Sequence, residues 1–511
     1  MRHTALFASV LLLLAACDDD DVEGVTREGL HCDVAIVGGG AGGLHTAFRL
    51  APELGEGVCL FEKEATLGGR IHDVAKDEED PDSPRFGTGA RRVMEGQEVL
   101  FDLAEELDLE LDTPPNEADL ISARGGFAFA KDDLLPLYPQ VEAHEGTDAE
   151  TWLYDRIRLG PERDDATDYP DFRSYIRDVA GEEEFQFLRD MSRFRADFEY
   201  PLDARGYLDY LDEEWDVCCQ PSYPVGGMSA FIEGMAEKAR ADGARIYTEQ
   251  PVTDIGSRED GGYVVMTDGY RVEADRVVIA VPPAAFPWIK GDVVARIAEQ
   301  QEFKDLIGVK VVTIAQWWPE RWWEDIVNPD PEVEPDNHIW RAWTTEHCLN
   351  FIEIPLDEYG RDQKVTRTVY DDHLECVEFW EETASRGIDA VEEEIARGLD
   401  YMFNQNGIAS PLMVDIPAPD KTHVQIWPAA WHWLRAGSEY TNADIYDWAI
   451  EPLDGEEVAL VGEAYNPQRS GWSDAAYKSS IHLLNARYDM DLPLPTFRRS
   501  GRRGGPRIDG R

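Results

Sequence analysis

A glycine-rich turn near the start of the chain constrains the fold more than any other feature. It follows a short apolar strand predicted at residues 32–37 and opens a helix predicted at residues 42–50. Gly38 permits the tight turn, Gly40 lets the backbone approach a pyrophosphate, and Gly43 lets the helix pack on the strand. The helix N-terminus adds amide donors and a positive dipole for phosphate groups. The turn therefore predicts a Rossmann-type dinucleotide site.

The next predicted strand covers residues 58–62 and ends in Glu62. A carboxylate at the end of this strand can accept hydrogen bonds from the ribose hydroxyls of a dinucleotide. The strand, turn, helix and acidic residue occur in the order of a β-α-β unit. This order favours a cofactor site over a merely structural glycine turn.

The chain is strongly acidic. Asp and Glu number 103 against 48 Lys and Arg, which gives a formal net charge of −55. Such a surface repels phosphate backbones, so the composition argues against nucleic-acid binding and indicates a solvated acidic shell. The seven cysteines form no CxxC pair and accompany no His-rich cluster, so no metal site is predicted.

The first 17 residues read as an export signal. An apolar run at residues 5–16 is too short to span a membrane and precedes four aspartates at residues 18–21. The Leu-Ala-Ala-Cys sequence ending at Cys17 resembles the lipobox of bacterial lipoproteins, whose cysteine is lipidated. We therefore expect an extracytoplasmic protein that contacts the membrane only through a lipid anchor at Cys17. An ordinary signal peptide that is cut nearby is the alternative.

Three further motifs carry a family resemblance. A Gly-Gly-Arg motif occupies residues 68–70, a Gly-Glu pair occupies residues 462–463, and a Gly-Trp-Ser-Asp helix start occupies residues 471–474. Together they resemble FAD-dependent L-amino-acid oxidases of the flavin amine oxidase superfamily. The chain has no cysteine between Cys376 and its C-terminus. The resemblance then implies that FAD is bound non-covalently.

The resemblance implies FAD contacts that are spread over the chain. Arg70 would pair with the phosphates, Val252 would contact the adenine, and Glu463 would face the ribityl chain or the phosphates. The start of the last helix would point its dipole at the flavin pyrimidine carbonyl. The predicted cofactor residues are Gly38, Gly40, Gly43, Glu62, Gly69, Arg70, Ala90, Arg91, Val252, Glu463, Trp472 and Ser473.

The predicted substrate contacts centre on two adjacent arginines. Residues 89–93 resemble the family pattern Gly-x-Met-Arg-Leu. In that family the arginine binds the substrate carboxylate through two parallel hydrogen bonds. This register selects Arg92, but Arg91 stands where the family has Met, so it stays open which arginine faces the substrate. A pair of surface arginines is the alternative. Tyr370 matches a strand tyrosine that touches the carboxylate, unless it is a core aromatic, and Trp472 is a predicted wall of the substrate site.

Lys310 is the predicted catalytic residue. It lies in a β-rich segment, residues 309–318, and the sequence Ile307–Val311 around it resembles the strand where amine oxidases place a lysine holding a water near flavin N5. Burying a lysine on an apolar strand without a partner is costly, so a solvent-facing side chain is the alternative. The Trp-Trp-Pro sequence at residues 317–319 matches the family's local pattern and favours the catalytic interpretation.

The expected architecture is α/β, with a Rossmann-type FAD-binding domain, an interleaved α+β substrate domain and a helical insertion. The predicted segments are a signal peptide (1–17), the FAD domain (18–95, 216–300 and 431–490), the helical insertion (96–215), the substrate domain (301–430) and a basic tail (491–511).

The resemblance implies oxidative deamination of an L-amino acid to a 2-oxo acid, ammonia and H2O2, with O2 as the second substrate. Hydride would pass from Cα to flavin N5, and the protein would supply orientation and electrostatics. A monoamine or polyamine oxidase on the same fold is the alternative, and it would lack the arginine clamp. A non-enzymatic FAD-binding protein is a third option. The sequence is also compatible with a homo-oligomer.

Overall fold

The computed structural model describes residues 28–80, 83, 85–113, 118–216, 221–326, 339–353, 364–405, 414–466 and 472–494. The predicted signal peptide with Cys17, the motif residue Gly471, and the tail from residue 495 onward lie outside the described residues. Within the described part, two seven-stranded sheets organise the fold.

The first sheet contains the predicted β-α-β unit. Strand Glu28–Val37, helix Ala41–Leu54 and strand Val58–Phe61 follow one another, and the two strands pair in parallel. The central strands are apolar and buried, as expected for parallel strands covered on both faces. In spatial order the strands are Arg245–Tyr247, Val58–Phe61, Glu28–Val37, Tyr270–Ile279, Tyr263–Thr267 and Val252–Ser257, with Val458–Leu460 beside Tyr270–Ile279.

Three helices that are distant in sequence pack together beside this sheet. Helix Ala41–Leu54 contacts both Ser229–Ala241 and Asp474–Arg487. Their apolar side chains share one buried core, which includes Leu44 and Leu484. Burial of apolar surface stabilises such a core by roughly 25 cal/mol per Å². The predicted Rossmann-type domain, assembled from three separated segments of the chain, is therefore confirmed as a fold.

The second sheet is built around the long strand Leu306–Trp317, which pairs antiparallel with Lys421–Leu434 and Val365–Asp371. Helices Leu374–Ser385 and Ile388–Asp400 share a core with one face of this strand. In spatial order the strands are Lys421–Leu434, Leu306–Trp317, Val365–Asp371, Phe351–Glu353, Ile339–Thr344, Ala118–Ala123 and Gly126–Ala128.

Two predicted boundaries differ from the structure. The predicted helical insertion begins at residue 96, but the hairpin Ala118–Ala123 and Gly126–Ala128 belongs to the second sheet. The predicted boundary between residues 430 and 431 falls inside the strand Lys421–Leu434. In both places the strands pair with segments far away in sequence, and such tertiary pairing overrides local patterns.

The helical part of the insertion follows the hairpin. Asp148 and Asp171 begin two of its helices by accepting hydrogen bonds from backbone amides of the first turn. Its α-helices are Ala149–Leu159, Phe172–Val179, Glu182–Met191 and Ala204–Asp216, with 3-10 turns at Lys131–Leu137, Pro161–Asp168 and Arg195–Phe198.

The remaining elements are short. Small strands pair at Asp73–Ala75 with Arg85–Gly87, and at Val93–Met94 and Leu111–Asp112 with Pro221–Pro224. The other helices are Glu98–Glu106, Asp292–Ala298, Gln301–Lys304 and Asn442–Ala449, with 3-10 turns at Gly55–Gly57, Pro283–Trp288 and Trp322–Asp325 and a π turn at Tyr401–Gln405.

Two disulfides cross-link described elements. Cys32–Cys59 joins the neighbouring strands Glu28–Val37 and Val58–Phe61, and Cys348–Cys376 ties a loop of the second sheet to helix Leu374–Ser385. Among the helices described, none is long and apolar enough to cross a membrane.

Candidate active site

A cavity of about 1140 Å³ extends from the glycine turn of the first sheet to the second sheet. Pockets for small ligands commonly measure about 300–1,000 Å³, so this one has room for a dinucleotide and a small molecule together. Most of the predicted site residues line it, namely Gly38, Gly40, Glu62, Gly69, Arg70, Ala90, Arg91, Arg92, Val252, Tyr370, Glu463, Trp472 and Ser473.

Gly43 has a packing role at the glycine turn. A Cβ at this position would stand 2.1 Å from the carbonyl oxygen of Gly38, so only glycine lets helix Ala41–Leu54 lie this close to the first strand. Gly38 has a φ of +103°, which glycine adopts without steric cost. The two glycines thus bring the helix N-terminus, with its amide donors, to the cavity wall.

Glu62 lies directly after strand Val58–Phe61 and lines the cavity, as predicted. Its Oε2 accepts a hydrogen bond from the Gly39 amide at 2.7 Å, and its Oε1 accepts one from the Glu64 amide at 2.9 Å. These bonds fix the carboxylate, while each oxygen keeps a further lone pair for a ligand hydroxyl.

An ion pair between Arg70 and Glu463 connects the first and last segments of the predicted FAD domain. Arg70 Nη1 donates to Glu463 Oε2 at 2.9 Å, and the same oxygen lies 2.9 Å from His432 Nδ1. Burial alone would raise the pKa of Glu463, but hydrogen bonds from His432 and Arg70 outweigh it and lower the pKa to about 2. Glu463 is therefore a fixed anion, and it holds Arg70 at the cavity wall.

The start of the last helix presents polar groups to the cavity. The Ser473 hydroxyl is buried at the cavity wall, with no hydrogen-bond partner among the described residues. Ser473 precedes helix Asp474–Arg487 without capping it through its side chain. Because a buried hydroxyl without a partner is costly, this arrangement fits a ligand with acceptor atoms. The glycine turn, Glu62, Arg70 and Ser473 together fit FAD.

Three arginines surround one carboxylate at the other end of the cavity. Arg91 Nη1 donates to Glu353 Oε2 at 2.7 Å, Arg367 pairs with the same oxygen, and Arg92 Nη1 lies 3.4 Å from Glu353 Oε1. Burial would raise the pKa of Glu353, but the three arginines hold it well below its usual range. Glu353 is therefore ionised, and three guanidinium groups lie beside it.

The two adjacent arginines differ in their accessibility. The Arg91 side chain is 3 % exposed, and its guanidinium lies over the Phe86 ring at 4.2 Å. The Arg92 side chain is 14 % exposed, and its guanidinium lies 5.3 Å from the centre of the Trp472 ring. Arg92 is thus the more accessible of the two, beside the predicted wall residue Trp472.

Aromatic side chains line the cavity between the arginines and the helical insertion. The Tyr370 ring packs edge-on against Phe194, and Phe194 packs in the same way against Trp431. The guanidinium of Arg367 lies 4.5 Å from the centre of the Tyr370 ring. Tyr370 therefore stands in the cavity wall near the arginines, and its predicted contact with a substrate carboxylate stays a prediction.

Lys310 does not line the cavity, so the prediction of a flavin-site lysine is wrong. Its Nζ donates to Glu381 on helix Leu374–Ser385 at 3.1 Å, and its side chain is 38 % exposed. Successive residues of a strand point to opposite faces. Lys310 lies on the face covered by this helix, together with Val312, which corresponds to the alternative of a solvent-facing lysine.

Thr313 is the polar residue of this strand that faces the cavity. It is 1 % exposed, and its Oγ1 has no hydrogen-bond partner within the part of the chain that is described. Thr313 pairs in register with Tyr370 on one neighbouring strand and with Gln425 on the other, and both residues line the cavity. These three side chains form a polar row across the cavity wall.

Sequence reasoning did not identify Glu353, Arg367, Asp197 and Thr313 as site residues. All four line the cavity, yet none belongs to a recognisable motif. Arg367 lies inside the strand Val365–Asp371, and a charged residue inside a β-rich stretch was the one available signal.

Solved structures of amine oxidases share this fold. Wild-type putrescine oxidase bound to putrescine matches with a TM-score of 0.63 at 16% identity, over 91% of this chain and 100% of that chain. Cyclohexylamine oxidase from Brevibacterium oxydans IH-35A matches with a TM-score of 0.64 at 16% identity, over 89% of this chain and 99% of that chain. At this identity the likeness is one of fold.

One curated relative is a carotenoid 3,4-desaturase from Haloarcula japonica, which is 26% identical over 285 residues. The match covers 48% of this chain, and the chain spans about half (55%) of that relative's length. The family described as flavin containing amine oxidoreductase matches residues 41–433. This match takes in most of the cavity walls and more than half of the chain, so the chain belongs to the flavin containing amine oxidoreductase family and is FAD-dependent.

Proposed function

We propose that this flavin amine oxidase deaminates an L-amino acid, whose carboxylate is bound by Arg92. The observation that carries the proposal is the cluster of arginines at the substrate end of the cavity. Among the described residues, Arg91, Arg92 and Arg367 all contact the carboxylate of Glu353 there. A substrate carboxylate beside Arg92 would add a negative charge next to these guanidinium groups, and a guanidinium can hold it through two parallel hydrogen bonds.

The same charges disfavour a polycationic substrate at this end of the cavity. An ammonium group placed next to Arg92 would be repelled, because like charges interact strongly where water is excluded. Glu353 offers little compensation, since Arg91 and Arg367 already engage it. These charges therefore favour an amino acid over a polyamine as the substrate.

The net reaction is amino acid + O2 + H2O → 2-oxo acid + NH3 + H2O2. FAD, when bound, accepts the two electrons and the hydrogen removed from the Cα–H bond. The chain's contribution is to orient the substrate and to exclude water. Arg92 and Tyr370 hold the carboxylate end, and the aromatic walls enclose the remainder of the substrate.

A simple amine substrate is the second candidate. The putrescine and cyclohexylamine oxidases that share the fold act, by their names, on amines without a carboxylate. The Glu353 carboxylate offsets part of the positive charge of Arg91, Arg92 and Arg367. An amine substrate without a carboxylate is therefore also compatible with this end of the cavity.

Matched substrate pairs separate the two candidates. Peroxide formation is measured with leucine against 3-methylbutylamine, phenylalanine against phenethylamine, and lysine against cadaverine. Each pair differs only by the carboxylate. We expect kcat/KM to be about a hundredfold or more higher for the amino acid, which is the cost of leaving a charged site unpaired. Amines that match or exceed their amino acids would establish the second candidate instead.

We also propose that the enzyme is exported and anchored through Cys17. The disulfides Cys32–Cys59 and Cys348–Cys376 support this, because such bonds persist in oxidising compartments outside the cytoplasm. Cell fractionation tests it. The wild type should be found with membranes and Cys17→Ala in the soluble extracytoplasmic fraction, whereas a cytoplasmic location of both proteins contradicts the proposal.

A further inference from the structure

A carboxylate lines the aromatic part of the cavity, and the proposed chemistry does not use it. Asp197 belongs to the 3-10 turn Arg195–Phe198 of the helical insertion, and it is 7 % exposed. The rings of Phe194, Trp431, Trp433 and Tyr210 line the same cavity. Burying a carboxylate among aromatic rings is costly unless a donor or a cation compensates it.

Part of that compensation comes from the protein. Asp197 hydrogen-bonds with the side chain of Tyr207, a core tyrosine whose ring packs against Trp433 at 5.2 Å. The neighbouring Arg195 guanidinium is directed elsewhere, since its Nη2 donates to the carbonyl oxygen of Thr344 at 2.6 Å. The Oδ1 atom of Asp197 is buried and accepts no hydrogen bond from the described residues, so the carboxylate keeps acceptor capacity for a ligand.

Tyr370 connects Asp197 with the arginine end of the cavity. Phe194, three positions before Asp197, packs against the Tyr370 ring at 6.0 Å, and the Arg367 guanidinium lies 4.5 Å from the same ring. Burial raises the pKa of Tyr370 most, the negative charges of Asp372 and Asp197 raise it further, and the positive charges of Arg367 and Arg92 lower it. Charges of both signs therefore act on one side chain of the cavity wall. A substrate beside Tyr370 would meet a cationic group formed by Arg92 and Arg367 and an anionic group formed by Asp197.

The rings around Asp197 suit a cation as well. Phe194 and Trp431 pack edge to face with centroids 6.3 Å apart, as do Tyr210 and Trp433 at 4.7 Å. Aromatic faces attract ammonium and guanidinium groups through their quadrupoles, which contributes roughly 0.5–2 kcal/mol for a cation that is shielded from water. A carboxylate that lines the same cavity as these aromatic rings is thus a chemically suitable site for an organic cation.

We propose that Asp197 is a specificity-determining residue that binds a second, cationic group of the substrate. Combined with a carboxylate at Arg92, this assigns amino acids with a basic side chain, such as lysine, ornithine or arginine, as the substrate class. The assignment of an amino acid rests on the proposed function. The selection of a second cation by Asp197 does not rest on it, because a diamine would use the same carboxylate.

The test compares the wild-type holoenzyme with Asp197→Asn on lysine and norleucine. The asparagine keeps the shape and an acceptor for Tyr207 but removes the charge. We expect the wild type to favour lysine, and the lysine-to-norleucine ratio of kcat/KM to fall about a hundredfold in the variant. Glu381→Gln, which removes a carboxylate outside the cavity, should leave the ratio unchanged.

A binding measurement keeps the proposal testable without turnover. The probes are 5-guanidinopentanoate and pentanoate, which both carry the carboxylate and lack an α-amino group. Calorimetry should give a Kd at least about tenfold lower for the guanidino compound in the wild type, and similar values in Asp197→Asn. Equal binding of both probes by the wild type would overturn the proposal.

The outcomes separate the two claims. If norleucine and leucine outperform lysine in the wild type, the proposed function stands and the role of Asp197 is wrong. If cadaverine is oxidised and lysine is not, the proposed function fails. In that case a strong preference for cadaverine over pentylamine that is lost in Asp197→Asn still supports the role of Asp197, and equal turnover of the two amines overturns it.

Discussion

Arg91 Nη1 donates a hydrogen bond to Glu353 Oε2 at 2.7 Å, although 262 positions separate the two residues in the sequence. The contact joins the segment after the Gly-Gly-Arg motif to the second sheet, and both side chains are nearly inaccessible to solvent. Because Glu353 engages Arg91 so closely, the neighbouring Arg92 is the better placed of the two to meet a substrate.

The buried Glu353 cluster should be important for stability. Glu353→Ala leaves Arg91 and Arg367 buried with like charges together, so we expect it to lower the free energy of unfolding by about 3–5 kcal/mol. Glu381→Gln breaks the half-exposed pair with Lys310 and should cost no more than about 1 kcal/mol. Urea unfolding of both variants checks this. Equal losses of unfolding free energy in the two variants would show that the buried Glu353 cluster stabilises the fold no more than the half-exposed pair of Lys310 and Glu381.

Thr313 and Lys310 should differ in their effect on turnover. Thr313→Val removes the unpartnered cavity hydroxyl and keeps the shape, so we expect kcat/KM to fall about tenfold, the value of one hydrogen bond. Lys310→Met should stay within about twofold of the wild type, because its side chain contacts Glu381 outside the cavity. A large loss in Lys310→Met with little change in Thr313→Val would reverse this assignment.

The lowered pKa of Glu463 predicts a pH-dependent contribution to stability. A group whose pKa is about 2 when folded and near its ordinary value of 4.5 when unfolded stabilises the fold above pH 4.5, and the contribution is lost as the pH falls toward 2. We expect Glu463→Gln to be less stable than the wild type by roughly 3 kcal/mol at pH 7. The difference should shrink below pH 4, as measured by denaturant unfolding. A difference that is constant from pH 7 to pH 3 would contradict the assignment.

The parts of the site that were predictable from sequence are local in the chain. Gly38, Gly43 and Glu62 lie within one β-α-β unit, so their spacing alone places them at one end of a strand and one end of a helix. The C-terminal Glu463 was found in the same way, through its position at a strand end before a helix. Glu463 contacts Arg70, which lies 393 positions away in the sequence, so only the folded structure brings the two residues together.

The residues that sequence reasoning misassigned depend on sheet register. Lys310 and Thr313 are three positions apart on one strand, so they point to opposite faces, and only the pairing with neighbouring strands decides which face meets the cavity. A register shift in the pairing with Lys421–Leu434 lies between Val309 and Val311, beside Lys310. Glu353 and Asp197 come from segments without motifs, and their burial became visible only in the assembled structure.

The most direct test of the account is the effect of Arg92 on a matched pair of substrates. We predict that Arg92→Met lowers kcat/KM for leucine about a hundredfold and changes that for 3-methylbutylamine less than about threefold, because only leucine carries the carboxylate. Arg92→Lys should recover part of the loss, since lysine restores the charge without the two parallel donors. Equal losses for both substrates, or undiminished leucine turnover in Arg92→Met, would contradict the carboxylate-binding role of Arg92.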